Sequence, residues 1–450
     1  MKNTKYNIIL LIVLMGLLFD SCEILEPENS NTFNIEDVES IVTYAEGVLL
    51  SAYNNIPRSH TNFSLSYACD DAVTNDQGHS VKTTVDGGWT SNTNPFDTWN
   101  NSYESILYIN TFLEEMSDVE WWWKDKTTNA FYAQRLRGEA YGLRAVYYFN
   151  LLQAHAGMGT NGEMLGVPIV DHVLDANNPD DYEIPRSTFN QLVQFILTDC
   201  DSAISNLPDR YENSGTYTYD EAMGMQYTNR INGLAVRLIK AKTLLYAASP
   251  AYSDGTYTYQ RAAEAAAAIM NLNDGLGNVN FANHNHLQFY NNDNVVGDKN
   301  LHPEVFWYSA KSTSNSWEED NYLPSLYGEG RTDPTQELVN AFPMLDGTPV
   351  TNAKINSSDP YSGRDPRLSL NILYNGATIN IGNIININTQ AGSQDAVGSS
   401  DPNTTLTGYY LRKFMNIANV NLDPSIDSEG TSYYTFARYT DVLLMFAEAA

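Results

Sequence analysis

Residues 135–157, RLRGEAYGLRAVYYFNLLQAHAG, decide the fold. Leu136, Ala140, Leu143, Tyr147 and Leu151 recur at spacings of three and four, which places them on one stripe of an α-helix. Gly138, Gly142, Ala145, Phe149 and Leu152 form a second stripe. Its N-terminal half carries almost no side chain, so another helix can approach there at backbone distance. A surface helix needs one apolar stripe, whereas a helix with two is sandwiched between neighbours, as in bundles and solenoids. Gly157 and Gly159 end this inner helix, and Gly166-Val167-Pro168 keeps the chain extended afterwards.

Other amphipathic helices flank it. Asn34 reads as the N-cap of a helix carrying Ile35, Val38, Val42, Ala45, Leu49, Tyr53 and Ile56 on one face, closed by Pro57. Residues 98–116 place Trp99, Tyr103, Ile106, Asn110 and Leu113 together, and a buried Asn110 requires hydrogen-bond partners. Ser187 caps a helix ending at Asn206-Leu207-Pro208. A pair follows at 231–248 and 259–272, with small residues suited to tetratricopeptide-like crossings, although no strict repeat is visible.

Two regions resist this pattern. Residues 58–97 are too long for a simple connection and carry Asp70-Asp71, Gly87-Gly88-Trp89 and Asn92. From Asn273 onward Asn, Asp, Gly, Ser and Thr dominate, with a short β-like run at 305–310. Asp333 reads there as the cap of a helix over 333–342, with Pro334 at its first position and Gln336 completing a capping box. Helix returns at 437–450.

Composition narrows the function. The 450 residues carry 25 Lys and Arg against 54 Asp and Glu, a formal charge of −29, which argues against nucleic acid as a ligand. Aromatics reach 12% with 30 tyrosines, and rings with side-chain amides suit uncharged polyols. Lys2 and Lys5, the apolar run 8–19 and Asp20-Ser21-Cys22 have the order of a secretory signal ending in a lipobox-like cysteine. Cys22 is thus the expected lipidation site, with an ordinary signal peptide as the alternative. Cys69 and Cys200 remain. Cys200 lies on the stripe Phe189, Leu192, Val193, Ile196, Ala203, Leu207 and reads as a buried thiol, with pairing to Cys69 left open.

Catalytic signatures are absent. There is no G-x-S-x-G elbow, no phosphate-cradling G-x-x-x-x-G-K-[ST] and no H-E-x-x-H. His284-Asn285-His286 reads as solvated, so neither a metal nor a cofactor is expected. Asp70-Asp71, Asp199 with Asp201, and Glu318-Glu319-Asp320 are carboxylate pairs by count, but sequence places none across a cleft. Trp121-Trp122-Trp123 either packs beneath a helix junction or forms a ligand surface.

The ordered set of segments resembles the SusD/RagB family of Bacteroidetes outer-membrane lipoproteins. It comprises Cys22 with its acidic follow-on, the Trp99–Asn110 stripe, RGEAYGLRAVYYFNLLQAHAG leading to GVPIV, and IPRSTFNQLVQFILTDCDSAISNLP. GLAVRLIKAKTLLYAASPAY, HPEVFWYSA, PTQELVNAFPMLDG, RDPRL and ARYTDVLLMFAEAA complete it. The resemblance implies a mainly α fold, a tetratricopeptide-like helical-pair scaffold with a loop-rich, partly β ligand-binding region. Its expected divisions are 1–21 signal peptide, 22–33 lipidated tether, 34–272 scaffold with a binding loop at about 58–97, 273–436 loop-rich region and 437–450 the start of a further helical unit.

The implied function is capture of an oligo- or polysaccharide at the cell surface for a SusC-like TonB-dependent transporter, without catalysis. A glycoside hydrolase on a helical scaffold and a protein-binding adaptor are the rival readings. For glycan contact the candidates are Trp89, which follows two glycines that let its ring stand clear, with Asn92 beside it, then Tyr290, Trp317, Tyr322 and Tyr327. Asp70 and Asp71 are secondary, since a turn or cap role competes. The family continues past the segment matching 437–450, so this copy is expected to be truncated or to expose Leu443, Phe446 and Ala447.

Overall fold

The structure, a computed structural model, describes residues 41–56, 65–90, 93–116, 118–275, 304–351, 354, 356 and 358–450. Cys22, Asn92, Tyr290 and His284-Asn285-His286 lie outside them. The main helices are α1 (Val42–Ala52), α2 (Trp99–Glu115), α3 (Lys126–His155), α4 (Phe189–Asn206), α5 (Gly233–Ala248), α6 (Tyr259–Gly275), α7 (Ser316–Asn321), α8 (Gln336–Ala341) and α9 (Tyr439–Ala449).

Helix α3 is the inner helix its two stripes require. Leu136, Ala140, Leu143, Tyr147 and Leu151 are buried, and so are Ala145, Phe149 and Leu152 on the other face. A Cβ on Gly138 would lie 2.7 Å from Leu207 Cγ, and one on Gly142 would lie 3.0 Å from Val236 Cγ2. The absent side chains therefore admit the end of α4 and the start of α5. The helix begins earlier than its apolar pattern, at Lys126, because the Asp125 carboxylate accepts the Thr128 amide at 2.7 Å and caps the first turn. Along the chain α1 packs on α2, α2 on α3, α3 on α4, α4 on α5 and α5 on α6, and α9 closes against α6 and α5.

Charges inside this core neutralise one another. Arg144 meets both oxygens of Asp199 at 2.7 and 2.9 Å and donates to Asn110 Oδ1 at 2.9 Å. The Asn110 amide nitrogen donates to the carbonyls of Val170 and His172, both at 3.0 Å, which satisfies a buried Asn inside an apolar stripe. On earlier turns of α3 Arg135 pairs with Glu139, which also accepts from Tyr53 at 2.8 Å and lies 3.3 Å from Arg230, and Glu46 lies 3.8 Å from Arg135 and 3.3 Å from Arg230. Asp199 is thus spent on structure, and exposed Asp201 pairs with Lys240. Cys200 is a buried free thiol whose pKa burial pushes up, and Cys69 is free and exposed.

The later region is built differently. Strand β1 (Ala72–Val73) pairs antiparallel with β3 (Asp333–Pro334), and β2 (Val305–Tyr308) pairs with β4 (Thr435–Arg438). The β2–β4 pair joins the helical core through Phe306, Trp307 and Ala437. A second, separate cluster gathers Tyr322, Leu323, Leu373, Tyr410, Met415 and Val420.

Two local expectations are corrected. Asp333 and Pro334 are strand residues, and the cap of α8 is Thr335, whose hydroxyl accepts the Leu338 amide at 3.1 Å. Pairing with Ala72 and Val73 overrides a local sequence that suits a helix start. At α4 the cap is Thr188, in a full capping box with Gln191, while Ser187 donates its hydroxyl to the Val167 carbonyl at 2.7 Å. On α9 Leu443 and Phe446 are half-buried against the core, while Leu444 and Ala447 are exposed. Among the described residues no helix is long and apolar enough to cross a membrane.

Candidate functional site

The early loop, residues 65–90, is fastened to the later region along a seam. Tyr67 shares a 2.7 Å hydrogen bond with Thr332, and its ring meets His79 edge-on at 5.2 Å. The β1–β3 ladder comes next, with Ala72 opposite Pro334 and Val73 opposite Asp333. Asn75 then donates to the Glu329 carbonyl at 2.9 Å and accepts from Arg331 at 3.3 Å. Thr335 bonds the carbonyls of Asp70 and Asp71 through its hydroxyl, and its amide donates to Asp71 at 2.9 Å. Residues more than two hundred positions apart thereby form one surface.

Trp89 ends the same early loop. Gly87 has φ 81°, and a Cβ on Gly88 would lie 2.7 Å from the Thr83 carbonyl oxygen, so only glycines let the chain turn this tightly after residues 81–85. The indole is 55% exposed and rests on exposed Phe96, ring centres 5.6 Å apart. Trp99, Tyr103 and His155 continue the aromatic surface: the Trp99 ring meets Tyr103 at 4.8 Å and His155 at 5.3 Å. His155 bonds Asp97 at 3.2 Å, and burial lowers its pKa. Phe96 was not a sequence candidate; its place after Asn94-Pro95, in the same turn-rich stretch as Trp89, is the signal that could have found it.

Tyr327, two residues before the seam residue Glu329, is 58% exposed and adopts φ 66°. Left-handed backbone at a bulky residue costs on the order of 1 kcal/mol. The 3-10 turn Pro324–Leu326 imposes it, with the Gly328 amide returning to the Leu323 carbonyl at 3.1 Å. Trp317 on α7 is half-buried against the second cluster, and its indole N–H donates to the Lys413 carbonyl at 3.2 Å. Tyr322 is a correction to the expected set of ligand-facing rings: it is 1% exposed, and its hydroxyl donates to the Val420 carbonyl at 3.2 Å. It fills the second core and presents no face to a ligand.

Asp70 and Asp71 are exposed, with their backbone carbonyls committed to Thr335. Ligand atoms of Cys69, Asp70 and Asp71 lie within 4.8 Å of one another, the spacing a metal ion would need, on an exposed turn. Asp71 also lines a cleft of about 360 Å³ on the seam, with Ser66, Thr332, Phe342, Arg367 and Lys413. Of the three tryptophans at 121–123, Trp121 packs beneath the helix junction against Phe112 at 5.8 Å, and Trp122 stacks on Tyr132 at 5.7 Å. Only Trp123 faces solvent.

Two carboxyls are held well above their ordinary pKa range, one of them in the seam ladder itself. Burial pushes Glu318 and Asp333 up to about 7 each, the first against the Asn416 amide it accepts at 2.6 Å, the second against the Leu406 amide at 3.0 Å. Neither lines the seam cleft.

Comparison with known proteins agrees with this architecture. Residues 23–222 match a SusD-like family model described as starch-binding associating with outer membrane, and residues 303–450 match the SusD family model. None of the curated proteins matches the chain. Among solved structures, a SusD-like protein from Bacteroides fragilis has a TM-score of 0.69 at 21% identity, over 92% of this chain and 75% of that one. A SusD-like carbohydrate binding protein from the same species gives 0.63 at 19%, over 92% and 74%. A laminarin binding SusD-like protein gives 0.51 at 19%, over 90% and 80%. With two models of one family spanning well over half of its residues, the chain belongs to the SusD/RagB family of outer-membrane-associated, carbohydrate-binding proteins.

Proposed function

We propose that this protein is a lipid-anchored receptor on the cell surface that captures an oligo- or polysaccharide and passes it to a SusC-like TonB-dependent transporter. The observations carrying the reading are the seam with its polar surface and small cleft and the exposed rings of Trp89, packed on Phe96, and of Tyr327. Flat rings cover the C–H faces of sugars, and neighbouring amides and carboxylates take up hydroxyls. Structural neighbours described as carbohydrate binding and laminarin binding support it. Cys22 supplies the anchor, and Asn92 and Tyr290 remain candidate glycan contacts from the sequence.

Binding proceeds without catalysis. A glycosidase needs two carboxyl groups flanking one bond, whereas Glu318 and Asp333 are buried in packed structure on backbone amides. Affinity electrophoresis of the purified protein against host and plant polysaccharides tests the reading. Retardation by a defined glycan, with no reducing ends released, is the expected result. Indifference of a folded protein to the whole panel would refute it.

A further inference from the structure

Residues 391–403 of the later region line an open cavity of about 1020 Å³. That stands at the upper end of the roughly 300–1,000 Å³ usual for small-ligand sites, with room for more than one sugar ring. The loop that forms it is pinned at its middle. Asp395 is buried, its carboxylate oxygens accept the Ser325 amide at 2.9 Å and hydroxyl at 2.6 Å, and its carbonyl accepts the Tyr410 hydroxyl at 3.0 Å. Further on, the Asp401 amide donates to the Ser399 hydroxyl at 3.2 Å, and the Asp401 carboxylate accepts the Asn403 amide at 2.9 Å. The walls are thus set before a ligand arrives, which lowers the ordering cost of binding.

The lining is polar and almost uncharged. Asp401 is its one charged residue, and no Lys or Arg belongs to it. Gln394 and Ser400 are exposed, and neither their side chains nor the Asn403 amide hydrogen-bonds any described residue. Side-chain amides and hydroxyls offer both donors and acceptors without net charge, which suits sugar hydroxyls and gives an anion no cation to pair with. The turn carrying Tyr327 is fastened to this loop on either side. Ser325 bonds Asp395, and Gly330 comes so near that a Cβ on it would lie 2.5 Å from the Asn403 carbonyl oxygen. Between these attachments Tyr327 holds an exposed ring on left-handed backbone, a strain that folds retain at binding surfaces.

We infer that the cavity of residues 391–403 binds a segment of a neutral oligosaccharide, with Gln394, Ser400 and Asn403 bonding its hydroxyls and Tyr327 covering an adjoining sugar face. This rests on the glycan-binding reading and narrows it to uncharged glycans. A lone carboxylate in the lining, within a chain of charge −29, works against uronic and sulfated units.

Calorimetric titration of the purified protein with maltohexaose, laminarihexaose, cellohexaose, mannohexaose and xylohexaose, beside hexagalacturonate, tests the inference. At least one neutral hexamer is expected to bind roughly tenfold or more tightly than hexagalacturonate. Ser400→Trp, which fills the cavity from an exposed position, is expected to weaken that hexamer by roughly tenfold or more at an unchanged melting temperature. Should that variant lose stability, Gln394→Ala decides, since its side chain bonds nothing in the protein: a loss of about threefold is expected. Unchanged affinity in the folded variants, hexagalacturonate bound as tightly as any neutral hexamer, or a polysaccharide retained in the screen while no neutral hexamer binds would each overturn the cavity assignment and leave the receptor reading standing. Indifference to every hexamer and every polysaccharide defeats both.

Discussion

The helical region and the later region solve the burial of polar groups in opposite ways. In the helices, buried charges come in compensated sets: Arg144 with Asp199, and Arg135 and Arg230 with Glu139 and Glu46. In the later region the buried carboxyls of Glu318 and Asp333 rest on backbone amides. The first arrangement gives one continuous core around α3. The second gives smaller clusters joined by short strand pairs, a looser frame on which loops can be positioned for a ligand.

The contrast is tested most strongly at Arg144. Arg144→Ala leaves Asp199 charged and buried, and is expected to cost about 3–5 kcal/mol in denaturant unfolding. A loss below about 1 kcal/mol would mean the pair is not what neutralises that core.

Next comes pH. Glu318 and Asp333 both titrate near 7 when folded, above their ordinary values of 4.5 and 3.8. The folded state therefore binds more protons than the unfolded one between those limits, and stability from these groups is full at low pH and falls as pH rises through about 7. Asp333→Asn removes its share of that fall, an effect on the order of 2 kcal/mol at pH 8. Thermal melts at pH 5 and pH 8 measure it, and a variant that loses stability equally at both would contradict the assignment.

Thr335 carries a smaller effect. Its hydroxyl caps α8 and meets the Asp70 and Asp71 carbonyls. Thr335→Ala is expected to cost about 1 kcal/mol, and to raise hydrogen exchange along residues 70–73 without reaching α3. Protection unchanged in the early loop would show that the seam is held elsewhere.

The same contrast governs what could be read in the sequence. Helix α3 announces itself because a 3.6-residue period repeats over many turns and its glycines fall on one face. Even the need of Asn110 for partners is visible, although Arg144 as its partner is not, since a helical stripe does not say which neighbour it meets. The seam has no such signal. Ala72 meets Pro334 in a strand of two residues, too short to show a period of two, and the pairing spans most of the chain. Asp333 carries the signature of a helix cap and is pulled into the ladder by contacts that the local sequence does not contain. Among the rings, Gly87-Gly88 before Trp89 marks exposure, because glycines there serve a turn. Tyr322 and Tyr327 look alike in sequence; one fills a core and the other stands on a left-handed turn.

Trp89 should matter least to stability and most to binding. Removing its exposed ring is expected to change unfolding by no more than about 0.5 kcal/mol. The most direct measurement is calorimetric affinity of wild type and Trp89→Ala for whichever glycan retards the protein in electrophoresis. Capture by the aromatic seam predicts an affinity loss of roughly tenfold, about 1.4 kcal/mol, with an unchanged melting temperature. Equal affinity in the two folded proteins would contradict that claim and move the glycan away from the seam.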